Sequence, residues 1–336
     1  MAQVLCSLAS DLPWKLTDLQ MVHVFCSEGR TYTKPTTLGY YRAPSDREFP
    51  LDMVTGFKSF VRYENRYSGN GMHLFNYIMQ LERPLSVLEH VDFCTSSGTL
   101  LKMMCQNDFT VLATRYRNTI YLKTLPLPNY LIKSDSSCLF KLRQYLYVDQ
   151  PGDMPNMNAC VDLNKQNIGT FTAKLGKFRL LYTAEVFGVQ NTEPLGDLDD
   201  PEVLKQCRLS SVRLYPHHAP NWRRNYRMKR WLLNAYLAGI EEMQFAPTKR
   251  GMILKPITIV NVESAIKEQP WSLSESLQTM HLLLTEISKA MVNIDCPHTT
   301  FIFNLRDNIV TYRRIYGKND SSFLVDRYVR FLSELQ

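Results

Sequence analysis

Five times between residues 119 and 305 the chain returns to a short run of β-branched and aromatic residues: TIYLKTL (119–125), RLLYTAEVF (179–187), SSVRLY (210–215), ITIVNV (257–262) and TFIFNL (300–305). Such runs suit the pleated surface of a sheet. Strands this far apart in sequence must pair over long distances, which commits the chain to multi-stranded sheets. FIFNLRDNIVTYRR reads as a hairpin turning near Asp307-Asn308, and a second hairpin turns at TKRG, residues 248–251. Asn, Asp and Gly tolerate the left-handed backbone that a tight turn demands.

Between these runs the hydrophobic period changes from two to 3.6 residues. HLFNYIMQL (73–81) places Leu74, Ile78 and Leu81 at helical spacing. The segment 221–240 puts Trp222, Tyr226, Leu233 and Leu237 on one face and arginines on another. In 274–293, Leu277, Met280, Leu284, Ile287 and Met291 form one apolar stripe, with Ser274 as its cap. DQPGDMPN (149–156) is a turn-rich loop, and the acidic EPLGDLDDPE (193–202) is an exposed stretch between two strands. The sum is an α+β chain with largely antiparallel sheets. No repeat, low-complexity tract or linker interrupts it, so we expect one domain over residues 1–336.

With 336 residues, 45% hydrophobic and 21% charged, the chain can bury a large core. A net charge of +7 permits contact with phosphate backbones without requiring it. The eight cysteines, Cys6, Cys26, Cys94, Cys105, Cys138, Cys160, Cys207 and Cys296, include no C-x-x-C pair. They read as buried free thiols of a reducing compartment. The start, MAQVLCSLASDLPW, has no basic n-region, and no apolar run approaches a membrane span. A soluble intracellular protein is expected, with WRRNYRMKR (222–230) as a weak nuclear-import cluster.

Common catalytic signatures are missing: there is no P-loop, dinucleotide glycine fingerprint, G-x-S-x-G elbow or H-E-x-x-H helix. His217-His218 is a tempting metal pair. Adjacent strand residues point to opposite sides, however, and a surface loop is the better reading.

Five local patterns in order do carry a resemblance. ATRYRNTIYL (113–122) resembles the A-S-R-F-x-G-T-L-Y-L segment of the decapping-exonuclease (DXO-type) family. FKLRQYLYVDQPG (140–152) is similar to that family's aromatic-K-Φ-E-Q-Y-x-x-x-D-x-P-G segment. TAEVF (183–187) matches its S-G-E-V-D strand, VRLY (212–215) its V-E-L-K strand, and NWRRNYRMK (221–229) its Q-W-R-x-x-Y-R-x-K helix. The resemblance covers roughly residues 35–330. The resemblance implies two packed, mixed and mainly antiparallel β-sheets flanked by helices.

It also implies a metal-dependent site in which carboxylates from three segments hold divalent cations beside a lysine. Hard cations need oxygen ligands, and the metals generate the attacking hydroxide. This chain departs from that pattern. Arg143 stands for the first glutamate, Phe187 for the aspartate after the strand glutamate, and Arg213 and Tyr215 for the glutamate and lysine of the E-x-K strand. Tyr236 lies near the place of a helix glutamine. Only Glu185 keeps its carboxylate, and Arg115 keeps a substrate-facing arginine. The site is thereby about four charge units more positive than a metal-free family site, a shift from cation binding toward anion binding.

No catalytic residue, metal or cofactor is therefore expected. Arg115, Arg143 and Arg213 are candidate RNA contacts. For Arg143 and Arg213 two readings stand open: phosphate ligands in the old cleft, or a plug that neutralises Glu185, with an Arg213–Glu185 pair across neighbouring strands. For 221–240 an RNA-facing stripe stands against a solvated face.

Within the family the pattern is most similar to an inactive branch serving the fly germline piRNA pathway. That resemblance implies a nuclear, chromatin-associated complex with the adaptor Deadlock and the chromatin-binding protein Rhino. It also implies protection of nascent transcripts from 5′-end processing, termination and splicing. A protein scaffold without RNA affinity is the alternative. A residual enzyme ranks third, because one carboxylate beside an arginine cannot hold two Mg²⁺ ions.

Overall fold

The structure, a computed structural model, describes residues 2–4, 13–28, 31–54, 61, 69–105, 108–125, 135–162, 164–216 and 221–335. His217-His218 and Cys6 lie outside them. The side chain of Trp222 is likewise not described.

The strand runs assemble into two sheets. The larger has ten strands among the described residues, in the order Ala2–Val4, Ile309–Ile315, Thr300–Arg306, Phe109–Tyr116, Thr119–Thr124, Phe93–Ser96, Phe178–Val186, Lys165–Leu175, Leu16–Glu28 and Thr31–Thr33. The second runs Leu51–Asp52, Met252–Ile253, Glu242–Lys249, Leu209–Pro216, Gly188–Val189, Tyr40–Tyr41 and Tyr147–Val148, with Thr258–Asn261 also pairing onto Glu242–Lys249. Most ladders are antiparallel. Parallel pairing joins Phe93–Ser96 to both Phe178–Val186 and Thr119–Thr124, Leu209–Pro216 to Glu242–Lys249, and Gly188–Val189 to Tyr40–Tyr41.

The Phe178–Val186 strand shows why its sequence is apolar on both faces. Phe178, Leu180, Tyr182 and Ala184 enter one core cluster, while Leu181 enters another on the opposite side. A central strand covered on both faces reads as a continuous hydrophobic run. Helices Ser97–Cys105, Asn221–Leu237, Val262–Lys267 and Leu273–Ala290 pack into the first cluster, which also takes Tyr40, Val148 and Val189 from the second sheet. Gly69–Gln80 and Asp326–Glu334 cover the second cluster through Leu74, Ile78, Tyr328 and Leu332. A third cluster seats Asp135–Leu146 on the second sheet through Leu142, Leu146, Phe187 and Val212.

Both expected hairpins are present. Asp307 and Asn308 have φ of 49° and 61°, and Arg250 and Gly251 have 52° and 77°, the two positive values that a tight hairpin turn needs. The 274–293 stripe is buried, with Leu277, Met280, Leu284 and Met291 at 0% exposure.

Several expectations need correction. The cap of that helix is Ser272, whose side chain accepts from Glu275 N. Ser274 Oγ instead accepts the backbone N–H of Trp14 at 2.8 Å. Leu233 and Leu237 are buried as expected, but Tyr226 is 42% exposed: the first turns of Asn221–Leu237 run past the core that its last turns enter. The acidic 193–202 stretch is not all loop. It leads into the short helix Pro201–Lys205, capped by Asp200, because an Asp before a Pro-initiated turn satisfies the free amide of Glu202. Of the seven described cysteines only Cys26 and Cys94 are buried; Cys105, Cys138, Cys207 and Cys296 are half-buried and Cys160 is exposed.

Candidate functional site

Four of the candidate residues converge where the two sheets meet. Arg143 projects from the Asp135–Leu146 helix, Glu185 and Phe187 come from the end of the Phe178–Val186 strand, and Arg213 from Leu209–Pro216. Arg143 Nη2 donates to Glu185 Oε1 at 2.7 Å. The same guanidinium carbon lies 3.5 Å from the centroid of the Phe187 ring and 4.6 Å from that of Phe140. Arg213 approaches the Phe187 ring as well, at 4.4 Å, and Arg213 Nη1 donates to Val212 O at 3.1 Å. One aromatic ring thus receives two guanidiniums, and one carboxylate neutralises the nearer of them.

The neighbours explain how so much charge is tolerated. Burial pushes the Arg213 guanidinium down to about 10; Glu185 pulls it up, Arg143 down again and Tyr147 up. At neutral pH it stays charged, held by the ring face and the nearby carboxylate. Tyr147 is half-buried against the cluster, its hydroxyl sharing a hydrogen bond with Ser210 Oγ at 3.0 Å, and burial raises its pKa. The approach is tight: a Cβ added at Gly188 would come within 2.3 Å of the Tyr147 ring and 2.6 Å of Gly39 O. Only glycine lets these segments close under the site.

Beside this cluster lies a cleft of about 420 Å³, bordered by Arg143, Phe140, Phe187 and Tyr147. Its charged lining is Lys34, Arg143 and Lys165 against Glu28, Asp149 and Asp162. The three cations are already partnered. Lys34 meets Asp197 and Asp199 at 2.5 and 2.8 Å, Lys165 meets Glu28 at 3.5 Å, and Arg143 meets Glu185. The positive cleft expected from the substitutions is in fact charge-balanced, because acidic segments distant in sequence fold onto it.

The structure brings Arg143, Glu185, Phe187 and Arg213 together, but not in the expected pairing. Glu185 and Arg213 sit in different sheets, so no cross-strand pair forms, and Arg143 reaches Glu185 from a helix instead. Tyr215 turns to the core, edge-on to Phe245 at 6.3 Å. The Tyr236 hydroxyl accepts the backbone N–H of Leu16 at 3.0 Å.

Arg115 is placed elsewhere. Its guanidinium donates to Met291 O and Val292 O at 3.1 and 2.8 Å and to Asn118 Oδ1 at 3.3 Å. It closes the C-terminal carbonyls of Leu273–Ala290, as a cation at that end should. Arg115 is level with Ile120, Phe93 and Leu180 across three ladders. That puts it about 20 Å from Glu185 at ordinary strand spacings, so it is not at the rim of the cleft.

Phe140 and Tyr147 escaped the sequence reading. Phe140 had a usable signal, lying three residues before Arg143 on a helix, where side chains meet. Nothing local marks Tyr147.

The side chains present do not fit a divalent cation. Such an ion needs several oxygen ligands. The remaining carboxylate is bonded to Arg143, and among the described residues no group of three or more His, Cys, Asp or Glu side chains could hold a metal.

Comparison with known proteins gives consistent kinship. A family model described as RAI1 like PD-(D/E)XK nuclease matches residues 22–329. The Drosophila melanogaster decapping and exoribonuclease protein Rai1 is 24% identical over 244 residues, 67% of this chain and 64% of its own length; the match spans less than two thirds of that relative. Protein cutoff of Drosophila melanogaster is 25% identical over 279 residues, 77% of this chain and 71% of its own. Scheffersomyces stipitis Rai1 in complex with (3'-NADP)+ and calcium ion superposes with a TM-score of 0.80 at 12% identity, over 99% of this chain and 98% of that one. Candida albicans Rai1 in complex with pU5-Mn2+ gives 0.77 at 11% identity, over 100% of both chains. At such identities the likeness shows the fold: two mixed sheets with flanking helices, as the motifs implied.

Proposed function

The chain belongs to the RAI1-like PD-(D/E)XK nuclease family, and from that premise we propose that it is a non-catalytic member whose former metal site is filled by its own side chains. The observation that carries this reading is the Arg143–Glu185 bond of 2.7 Å, with the Phe187 ring against the same guanidinium. A fixed cation occupies the carboxylate that a family metal would need. Metal-assisted hydrolysis then lacks both the ion and the activated water it supplies.

The likeness to protein cutoff, whose piRNA-pathway branch the motifs resemble, carries the proposal further. The protein protects nascent piRNA-precursor transcripts from 5′-end processing, termination and splicing. It does so in the nucleus, in a chromatin-associated complex with the adaptor Deadlock and the chromatin-binding protein Rhino. Purified protein with Mg²⁺ or Mn²⁺ should leave capped, triphosphorylated and monophosphorylated RNA intact. Cleavage that disappears in Glu185→Gln would overturn the reading.

The charge balance of the cleft favours a second reading for the site itself, a plug in a protein scaffold without RNA affinity. The variant Arg143→Glu/Arg213→Glu separates the two. If the cleft takes RNA 5′ ends, charge reversal weakens binding at least tenfold, about 1.4 kcal/mol. Equal affinity and equal salt dependence assign the two arginines to the plug.

A further inference from the structure

Outside the closed site, the helix Asn221–Leu237 has a composition that its fold does not require. Its sequence, NWRRNYRMKRWLLNAYL, contains no Asp or Glu. The C-terminal half is core, with Leu232, Leu233 and Leu237 at 0% exposure. The N-terminal half carries Arg224, Arg227, Lys229 and Arg230, all partly exposed. Cations in the opening turns of a helix oppose its macrodipole, whose positive end lies there.

No described carboxylate lies within ion-pair distance of these four side chains, whereas Lys34, Lys165, Lys174, Lys205, Lys267, Lys289 and Lys318 each have one. A second helix adds to the imbalance. Lys102, in the last turn of Ser97–Cys105, donates to Leu125 O at 3.1 Å. Burial, and then the nearby charge of Arg230, lower its pKa. Two helices thus bring like charges together with no counter-charge at ion-pair distance among the described residues.

The aromatic content of the patch selects among polyanions. Tyr226 is 42% exposed, and Arg230 Nη1 donates to its hydroxyl at 3.1 Å, with the guanidinium 5.7 Å from the ring. Tyr226 and Arg227 lie four and three residues before Arg230, so the three share one face. An exposed ring beside guanidiniums suits an unstacked base with phosphates on either side. An acidic peptide would use the charges and leave the ring idle.

We propose that the basic face of Asn221–Leu237, with Lys102 beside it, is a sequence-independent binding surface for single-stranded RNA, separate from the closed pocket. This rests on the RNA-protecting reading above and moves the RNA contact from Arg143 and Arg213 to Arg224, Tyr226, Arg227 and Arg230. No covalent step is involved, and the RNA 5′ end plays no part.

The test is fluorescence anisotropy of the full chain with a labelled oligouridylate bearing a 5′-hydroxyl, at low and at physiological salt. Arg224→Glu/Arg227→Glu/Arg230→Glu should bind at least tenfold more weakly, and its log–log salt slope should fall by about 2, the value for three lost phosphate contacts on a single strand. Tyr226→Ala should weaken binding severalfold with the slope unchanged. Arg143→Glu/Arg213→Glu should bind as the wild type does. Melting temperatures control for folding, and if the triple variant unfolds, Arg227→Gln with Tyr226→Ala carries the same comparison.

Wild-type affinity in the triple variant, or in that substitute pair, overturns the proposal. So does loss confined to Arg143→Glu/Arg213→Glu, an outcome that leaves the RNA-protecting reading standing. Displacement of the RNA by poly-glutamate at equal charge concentration reassigns the surface to acidic peptides. Absence of RNA binding by the wild type overturns both the proposal and the RNA-protecting reading, but not the loss of catalysis.

Discussion

Arg143, Glu185 and Phe187 act as a unit, because each side chain satisfies a demand created by another. Glu185 neutralises a guanidinium that is 13% exposed, and Phe187 offers its ring to that guanidinium and to Arg213. Removing one partner of a fully buried ion pair costs about 3–5 kcal/mol. Glu185 is 33% exposed, and solvent screens part of that loss. We expect Glu185→Gln to destabilise by about 1–2 kcal/mol in urea denaturation, since Arg143 and Arg213 then repel each other unopposed. Phe187→Leu keeps an apolar side chain in the third core cluster but removes the ring, which should cost about 1–2 kcal/mol. The double variant should cost less than the sum of the two, because they share Arg143. Strict additivity would show that the ring and the carboxylate act independently.

The helices carry their own signatures. Ser272 caps Leu273–Ala290 by accepting from Glu275 N at 3.2 Å; Ser272→Ala should lower stability by about 1 kcal/mol, visible as a lower melting temperature. His73, on Gly69–Gln80, contacts the rings of Phe25 and Tyr32, and burial pushes its pKa down to about 4 from 6.5. A histidine whose pKa is lower in the folded state than in the unfolded chain takes up its proton preferentially on unfolding. Stability should therefore fall as pH drops from about 6.5 to about 4, by on the order of 2–3 kcal/mol. Glu48, drawn down to about 2 chiefly by its bond from Arg42, acts in a separate and lower window, below about 4.5. His73→Phe should weaken the upper window, to which His23 and His281, also held low by burial, contribute, and leave the lower one. Unchanged pH dependence of the denaturation midpoint between pH 4 and 6.5 would remove His73 from the account.

At the scale of the molecule, the first core cluster draws on both sheets, and Arg143 on a helix over the second sheet is bonded to Glu185 of the first. We propose that residues 1–336 unfold as one domain. Far-ultraviolet circular dichroism and tryptophan fluorescence should then report coincident transitions; two separated transitions would divide the chain. The arrangement also separates the two kinds of positive charge. Arg143 and Arg213 lie beside Glu185, while Arg224, Arg227 and Arg230 on Asn221–Leu237 have no carboxylate at ion-pair distance among the described residues.

Periodicity and turn chemistry were enough to place five strand runs, the Asp307-Asn308 and TKRG hairpins and the Leu277–Met291 stripe, because these depend on neighbours a few residues away; the two longest strands, Leu16–Glu28 and Lys165–Leu175, were not among them. Ordered motifs were enough for the family. The pairing of charges was not legible. Arg143 rather than Arg213 reaches Glu185, Arg115 ends on the carbonyls of a helix some 175 residues later, and Asp197 and Asp199 cross to Lys34. Electrostatic partners are chosen by distance in space, and a sequence records only the sign of each charge. Which residue would answer the charge of Glu185 was therefore decided only when the two sheets met, and it is Arg143, beside a cleft that the same residues border.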